Sequence, residues 1–506
     1  MKCSRQALGL LLAAVLIVSA IGYAEYTDPR DDLSGEIVVI HTNDTHGYFD
    51  ENLGFTSVAA AREYYDCHGA AVLTLDAGDV FQGTASTTIT DGASALSIFN
   101  SVGYDVIAPG NHDFDYGYAT LLSYYSELDC QKVCANITYT ATGENFLPSY
   151  TVIERYGVSI GVFGLITSNM PTLVKSSCVD GLTFGDPVAA AAETVATLQD
   201  LGVDYIVAIG HLGIDHSQSA VTSDDVCAEV DGIDVFIDGH SHTAMAGGKV
   251  LDGSVTLRPS GTVIASTGAA IMAIGVVTID GGQITAKLEM FSRGSDAEMD
   301  ACIAQVRTDQ EKLLGRIIGK TAALLDGEYA DVRTKETNLG DMVADGLCQV
   351  TGADVACVNG GSLRASIPAG DITLSEYLTS LPFTNWVQVR ELSGKELLDM
   401  MERSLSYGTE PCGGFMQFSG MTVTYDPTAE VGARVMSITV GGQPLDANRI
   451  YTLASTDFVF GGGDGYTMLT NLKLVEVYGD FNAIILSYMQ SLGVIDSIQM
   501  SRLIAV

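Results

Sequence analysis

The chain has 506 residues, of which 47% are hydrophobic and 17% are charged, and its formal net charge at pH 7 is −37. This length predicts more than one domain, and we expect two. The acidic excess argues against nucleic acid or an anionic membrane as a partner, because both would repel it. A small anionic substrate then needs a local positive site, which metal ions and a few arginines can supply.

The N-terminal residues 1–24 have the pattern of a secretory signal peptide. Lys2 and Arg5 precede an apolar run from Ala7 to Ala20, and small residues around Ala24 suit cleavage. The run is short for a membrane span, which needs roughly 20 apolar residues. We therefore expect export to the periplasm or the medium, without stable membrane insertion after cleavage. An uncleaved anchor is the alternative.

The cysteines do not predict a metal ribbon, because no Cys-x-x-Cys pair occurs among the ten. All except Cys3 follow the signal segment, and their odd number leaves at least one thiol free or paired between chains. Cys130 and Cys134 are close enough in sequence for a local disulfide. Scattered structural cysteines are the favoured interpretation.

Five short apolar runs in the first half predict β-strands that each end in a polar segment. The predicted strands span residues 36–40, 72–75, 106–108, 205–209 and 235–237. Helix-like stretches, such as 91–102 and 189–201, lie between several of them. This order predicts a layered α/β fold, in which ligands collect at the carboxyl ends of the strands.

A helix that connects two domains is predicted over residues 295–320. Ser295 and Glu298 form a capping-box pattern, and Met299, Ile303, Val306 and Leu313 recur at helical spacing. Residues 31–294 and 321–506 are then the two domains. The alternative is an ordinary surface helix within one domain.

Seven side chains at or near the strand ends are candidate metal ligands. They are Asp44, His46, Asp79, Asn111, His211, His240 and His242. Two pairs among them are spaced i, i+2, which in an extended segment directs both side chains to one face. Imidazole with carboxylate suits zinc, manganese or iron. Seven ligands are too many for one tetrahedral ion but suffice for two ions that share a carboxylate.

Two such ions, roughly 3.5–4 Å apart, are a common device for displacement at phosphorus, with metal-activated water as the nucleophile. The sequence contains no Gly-x-Ser-x-Gly element that would provide a serine nucleophile instead. The ligand set therefore predicts a two-metal phosphoesterase with zinc or manganese as its cofactors.

Five segments also carry a family resemblance. They are Asn43-Asp44-Thr45-His46-Gly47, Gly78-Asp79, Gly110-Asn111-His112-Asp113-Phe114-Asp115, Gly210-His211 and Gly239-His240-Ser241-His242. In this order they resemble the signature of the calcineurin-like metallophosphoesterases, which implies a four-layer α/β sandwich.

The resemblance also implies a role for each of these residues. One ion is held by Asp44, His46, Asp79 and His242, and the other by Asp79, Asn111, His211 and His240, with Asp79 as the bridge. His112 is then not a ligand. It stabilises the phosphate transition state or protonates the leaving group, and Asp115 orients it.

Four segments of the second half carry a further resemblance. They are Asn359-Gly360-Gly361-Ser362-Leu363-Arg364 and residues 337–341, 381–383 and 457–466. They resemble the C-terminal domain of the 5′-nucleotidase family, with Ser362 in place of a glycine, which implies a second α/β (α+β) domain that binds the substrate. By resemblance, Phe383 and Phe458 stack on the base, Asp464 accepts ribose hydroxyls, Arg333 and Arg364 bind phosphate, and Asn359 holds the base or the loop. Core packing is the alternative for each aromatic ring.

The predicted function is hydrolysis of nucleoside 5′-monophosphates to nucleoside and phosphate, with a small-molecule nucleotide as the partner. Hydrolysis of a UDP-sugar or of a 2′,3′-cyclic nucleotide is the alternative on the same scaffold. A sulfur-ester hydrolase, a nucleotide-binding protein without turnover and an adhesion protein are less favoured. The sequence makes no prediction of oligomeric state.

Overall fold

The computed structural model describes residues 32–174, 176–216, 219–251, 257, 261–383, 385–408, 410–496, 498 and 500–506. The predicted signal segment 1–24 lies outside these residues. Among them, no helix has both the length and the apolar character that a membrane span requires. Cys130 and Cys134 lie within this part of the chain and are free thiols, so the local disulfide that their spacing allows is not formed there.

Two β-sheets pack face to face in the first half. The six-stranded sheet has the order Gln283–Glu289, Ile274–Asp280, Ile37–Thr42, Ala71–Asp76, Val106–Ile107 and Gln131–Lys132. The seven-stranded sheet has the order Lys249–Val250, Ala244–Ala246, Val263–Thr267, Val235–Asp238, Tyr205–His211, Val158–Ile166 and Tyr150–Arg155. All five predicted strands are present, and β-branched and other apolar side chains from both sheets form the core between them.

Helices cover the outer faces of both sheets. Gly54–Cys67, Ser94–Val102 and Tyr118–Glu127 bury their apolar sides on the six-stranded sheet. Pro187–Leu201 and Ser223–Glu229 do the same on the seven-stranded sheet. The first half is therefore a four-layer α/β sandwich, as predicted. Short helices span Ala85–Thr88, Met170–Leu173 and Ser176–Val179, and a small two-stranded sheet pairs Ile137–Tyr139 with Leu182–Phe184.

The helix predicted over residues 295–320 is shorter than expected and spans Ala297–Leu314. Its N-cap is Asp296 rather than Ser295, because the Asp296 side chain accepts a hydrogen bond from the backbone N–H of Met299 at 2.8 Å. The helix cannot reach residue 320, since Ile317–Thr321 is a strand paired with Gly370–Thr373. Along the helix, Met299 and Ile303 pack into the core of the first half.

The second half is built on a five-stranded sheet that is packed on both faces. Its order is Met416–Ser419, Val355–Asn359, Ile450–Thr456, Trp386–Ser393 and Lys473–Asp480. The helices Asn338–Thr351, Leu374–Ser380 and Phe481–Leu492 contribute to the core on one face, and Gly394–Ser404 to the core on the other.

Two smaller sheets complete this half. One contains Gly370–Thr373, Ile317–Thr321 and Val494–Ile495, and the other contains Gln443–Pro444, Val435–Val440, Met421–Tyr425 and Leu503–Ala505. Short helices span Tyr329–Val332 and Asp457–Phe460. The result is the second α/β unit expected from the sequence.

Candidate active site

The seven candidate ligands lie at the carboxyl ends of five strands, with His211 as the last residue of its strand and the others in the loops that follow. Ile37–Thr42, Ala71–Asp76 and Val106–Ile107 run parallel to one another, as do Tyr205–His211 and Val235–Asp238 in the other sheet. Parallel strands end at the same edge, so their loops converge there.

Five of these seven residues have left-handed backbone conformations. The φ angles are 49° at Asp44, 49° at His46, 61° at Asp79, 81° at His240 and 52° at His242. Non-glycine residues rarely adopt this region, and such strained positions cluster at functional sites. The prediction of extended segments at the i, i+2 pairs is therefore wrong, although the side chains of Asp44 and His46 do converge on one group of ligand atoms. It is the left-handed turn of the backbone that brings them together.

One group of ligand atoms gathers around Asp44, His46 and His242. The Nε2 atoms of His46 and His242 lie only 3.1 Å apart, and Asp44 Oδ1 lies 3.5 Å from Nε2 of His242. Nδ1 of His46 donates to the carbonyl oxygen of Gln82 at 2.9 Å, which leaves Nε2 with its lone pair. Two nitrogens bound to one zinc ion at about 2.0–2.1 Å would have roughly this separation.

A second group gathers around Asp44, Asp79 and His211. Asp79 Oδ2 lies 3.1 Å from Nε2 of His211 and 3.8 Å from Nε2 of His46, so it reaches both groups. Asp44 also belongs to both groups, and the distances alone do not favour one carboxylate as the bridge. Asn111 Oδ1 lies 2.8 Å from Nδ1 of His240, at the same edge of the sandwich.

The donor set suits divalent cations. Nε2 of His211 and Nε2 of His240 are buried and accept no hydrogen bond from any residue that the structure describes. Burial, only partly opposed by the charge of His211, raises the pKa of Asp44 to about 7. Burial and the charge of His211 lower the pKa of His240 to about 3. The carboxylates of Asp79 and Asp44 outweigh burial and raise the pKa of His211 to about 10, so this place favours positive charge, which metal ions would provide.

His112 lies beside this group and is paired with Asp115. Its Nδ1 donates to Asp115 Oδ2 at 2.8 Å, and its backbone N–H donates to Asp79 Oδ1 at 2.8 Å. Burial lowers the pKa of His112, but the carboxylates of Asp115 and Asp79 outweigh it and raise the pKa above its ordinary value. The Nδ1 bond fixes the tautomer, so Nε2 of this imidazole can donate a proton.

Two residues that the sequence analysis did not single out hold the ligands in position. The Asn43 amide donates to Asp44 Oδ2 at 2.6 Å and accepts from the backbone N–H of Thr267 at 2.7 Å. Asp113 accepts the backbone N–H groups of Asp79, Val80, Phe81 and Gly110 at 2.7–3.1 Å. Asp113 thus ties the Asp79 loop to the loop that carries Asn111 and His112.

We expect Asp113→Asn to lower kcat by about 10- to 100-fold, because an amide keeps one acceptor oxygen and its NH₂ group opposes two of the four N–H donors. Steady-state kinetics at saturating metal measures the effect, and the melting temperature monitors folding. Asp204→Asn is the control, since Asp204 binds Ser159 on the surface. A variant that melts earlier but keeps the native kcat would contradict this role.

All six predicted substrate residues line one cavity of about 980 Å³, which also reaches the candidate metal group. From the first half it is lined by Asp79, Asn111, His112, Asp115, His240 and His242, and from the second by Arg333, Asn359, Arg364, Phe383, Phe458 and Asp464. The Phe383 ring stacks on the His112 ring at 5.6 Å between centroids, and the Arg364 guanidinium lies 5.6 Å from the Phe383 ring. The two halves therefore meet at this cavity.

Within the cavity, the loop residues of the second half are held together by hydrogen bonds. Asn359 Nδ2 donates to Asp464 Oδ2 at 2.7 Å, and Ser362 Oγ donates to Asn359 Oδ1 at 2.5 Å. A Cβ at Gly463 would lie 2.5 Å from the Phe458 ring, so only glycine lets that ring lie against the loop. Ser362, which departs from the family motif, thus has a partner in the site.

The cavity also contains residues that no sequence motif marks. They are Asn169, Asp215, Tyr329, Asn385, Arg403, Tyr407 and Cys412, among others. Arg403 lies near the end of an amphipathic helix, where an arginine is an ordinary surface residue by pattern alone. Only the three-dimensional fold shows that it lines the cavity.

Comparisons with known proteins agree with this architecture. The calcineurin-like phosphoesterase model matches residues 37–244, and the 5′-nucleotidase C-terminal domain model matches residues 317–471. The trifunctional nucleotide phosphoesterase protein YfkN of Bacillus subtilis is 30% identical over 501 residues, which cover 89% of this chain and 33% of YfkN.

Two further relatives are matched over most of their length. A 5′-nucleotidase of Vibrio cholerae is 28% identical over 520 residues, which cover 91% of each chain. The crystal structure of a 5′-nucleotidase precursor from Thermus thermophilus superposes with a TM-score of 0.77 at 25% identity, covering 93% of this chain and 99% of that one. With both domain models matched in order, the chain belongs to the 5′-nucleotidase family of calcineurin-like metallophosphoesterases and is a phosphoester hydrolase.

Proposed function

We propose that the protein is an exported 5′-nucleotidase that hydrolyses nucleoside 5′-monophosphates to nucleoside and phosphate. The observation that supports this proposal is the single cavity between the two halves, whose wall combines candidate metal ligands with arginines and phenylalanines. Its volume of about 980 Å³ is ample for a nucleotide. The charged, apolar and small residues of segment 1–24 support export.

Two divalent ions, zinc or manganese, are the proposed cofactors. Asp44, His46, Asp79 and His242 would hold one ion, and Asp79, Asn111, His211 and His240 the other. When bound, the ions supply positive charge for the phosphoryl oxygens and lower the pKa of water. The proposed division of labour assigns the metal site to residues 31–294 and substrate recognition to residues 321–506.

The protein's own side chains then bind and orient the nucleotide. Arg364, whose guanidinium lies 5.6 Å from the Phe383 ring, would bind the phosphate, and Arg333 adds positive charge to the same cavity. Phe383 and Phe458 offer ring faces to the base, and Asp464 offers a carboxylate to the ribose hydroxyls. His112, held by Asp115, either delivers a proton to the departing O5′ or stabilises the phosphoryl charge.

Hydrolysis of a UDP-sugar or a 2′,3′-cyclic nucleotide is the second candidate. The name of the B. subtilis relative, a trifunctional nucleotide phosphoesterase, favours keeping it, as does a cavity large enough for a nucleoside diphosphate. Both candidates use the same metal group and differ only in what the second half binds.

The experiment that tests the proposal is the rate of hydrolysis of AMP, UMP, a UDP-sugar and a 2′,3′-cyclic nucleotide, with Mn²⁺ or Zn²⁺ added and the products separated by chromatography. We expect the highest kcat/KM for the monophosphates, which give nucleoside and inorganic phosphate. A higher kcat/KM for the UDP-sugar, which gives UMP and a sugar phosphate, or for the cyclic nucleotide, which gives a monophosphate, would replace the proposal by the second candidate. No hydrolysis of any of the four would overturn both.

A further inference from the structure

Arg403 is an arginine of the cavity that the proposed 5′-nucleotidase reaction does not use. It lies at the end of the helix Gly394–Ser404, and its Nη2 donates to the backbone carbonyl of Asp464 at 2.9 Å. Its guanidinium lies 4.8 Å from the Tyr407 ring. A Cβ at Gly465 would come within 2.6 Å of Nη2, so the glycine makes room for this guanidinium. The side chain is thus held in place in the cavity wall.

The arginines of the cavity divide between its two ends. Arg364 contacts Phe383, which stacks on His112, so it belongs to the metal end. The contacts of Arg403 are with Asp464 and Tyr407, both in the second half. When a phosphate of the substrate lies at the metal end of the cavity, Arg403 can therefore bind another part of the substrate.

In the part of the chain that the structure describes, no ion pair occupies Arg403, although its positive charge opposes the rise that burial causes in the pKa of the Asp464 carboxyl. Arg155, Arg293, Arg307 and Arg502 pair with carboxylates. In the described part of the chain, Arg403 has no such ion pair, and its hydrogen bond is to a neutral carbonyl. A guanidinium carries five N–H donors in a planar fork, which matches the oxygens of a phosphate group. In a chain with a net charge of −37, such a half-buried arginine favours an anionic ligand.

The position of Arg403 indicates where that anion would be on the substrate. Asp464, whose carbonyl Arg403 binds, is the proposed acceptor for the ribose hydroxyls. In dinucleotide sites, an acidic residue binds the free 2′-hydroxyl of one cofactor, whereas an arginine accommodates the 2′-phosphate of the other. Here the acidic residue and the arginine are both present, so one hydroxyl and one phosphate can be bound together.

We propose that Arg403 forms a subsite for a second phosphate on the ribose, and that nucleoside 3′,5′- or 2′,5′-bisphosphates are preferred substrates. This inference rests on the proposed function. Water adds to the 5′-phosphorus, the bond from phosphorus to O5′ breaks, and a proton goes to O5′. The products are inorganic phosphate and a nucleoside that keeps its 3′- or 2′-phosphate.

The test compares kcat/KM of the exported protein, loaded with Mn²⁺, for adenosine 3′,5′-bisphosphate, adenosine 2′,5′-bisphosphate, AMP and GMP. Chromatography identifies the nucleoside product. We expect the wild type to favour one bisphosphate over AMP by about tenfold or more, and Arg403→Gln to lower that ratio by about the same factor. Arg403→Lys should retain part of the preference, because it keeps the charge but not the fork.

Arg449→Gln is the matched control. Arg449 lies 4.7 Å from the Tyr451 ring, much as Arg403 lies on Tyr407, but it is not among the residues that line the cavity. The bisphosphate-to-AMP ratio of kcat/KM in Arg449→Gln should equal that of the wild type.

Three outcomes overturn the subsite. The first is a wild-type kcat/KM for the bisphosphates that is about equal to that for AMP. The second is an equal loss of kcat/KM for AMP and for the bisphosphates in Arg403→Gln. The third is a change in the GMP-to-AMP ratio of kcat/KM in Arg403→Gln while the bisphosphate-to-AMP ratio stays the same. The wild-type ratio is decisive even where a variant fails to fold. If AMP itself is not hydrolysed, the proposed function falls, and the subsite with it.

Discussion

Asp79→Asn is expected to lower kcat/KM for AMP by about 10³-fold and to reduce the metal content of the protein. Asp79 Oδ2 lies 3.1 Å from Nε2 of His211 and 3.8 Å from Nε2 of His46, so this carboxylate reaches both groups of ligand atoms. Replacing it by an amide removes a negative charge from a site that stabilises developing charge, an effect of several kcal/mol. Elemental analysis and steady-state kinetics on the same preparation measure both consequences.

Asp91→Asn is the control for this variant. Asp91 has the same left-handed conformation, with φ of 51°, but its side chain is exposed and does not line the cavity. It should keep native activity and metal content. Native kcat/KM in Asp79→Asn, with metal still bound, would contradict the proposed bridging role.

His112→Asn is expected to lower kcat for AMP by about 10²- to 10⁴-fold while metal binding is retained. The hydrogen bond to Asp115 and the raised pKa of His112, to which Asp115 and Asp79 contribute against the effect of burial, favour an imidazole that holds a proton. The ribose O5′ is a poor leaving group and needs that proton, whereas p-nitrophenolate does not. If His112 is the proton donor, His112→Asn should therefore lower kcat much more for AMP than for p-nitrophenyl phosphate.

Equal losses with both substrates would instead assign His112 to stabilisation of the phosphoryl charge. His216→Asn is the control, because His216 also lies near a carboxylate, Asp225, but on the surface. It should not change kcat. Unchanged turnover of both substrates in His112→Asn would contradict either role.

The strands and the order of the layers could be predicted, because they depend on local patterns. Five apolar runs became strands with nearly the expected bounds, and the polar residue after each was found at one edge of the sandwich. The helix at 295–320 was placed correctly but made too long at both ends. The backbone of Ile317–Thr321 pairs with Gly370–Thr373, a strand about fifty residues away, and such a contact leaves no local trace.

In the active site, too, features set by the local sequence could be predicted, and features set by contacts between distant segments could not. Ligand identities could be proposed from chemical type and from motif resemblance. The left-handed turns at Asp44, His46 and His242 could not, since sequence patterns assume regular backbone. The role of Asp113 depends on four N–H groups from two loops, and that of Arg403 on a loop sixty residues along the chain. Roles that depend on contacts between distant segments become visible only when the chain is folded.

We propose that one cavity combines metal-dependent hydrolysis with recognition of a nucleoside. The decisive measurement is the ratio of kcat/KM for AMP to that for p-nitrophenyl phosphate, determined before chelation, after chelation and after return of Mn²⁺ or Zn²⁺. We expect a strong preference for AMP, loss of both activities on chelation and recovery with metal. Equal kcat/KM for the two substrates, or activity that survives chelation, would contradict it.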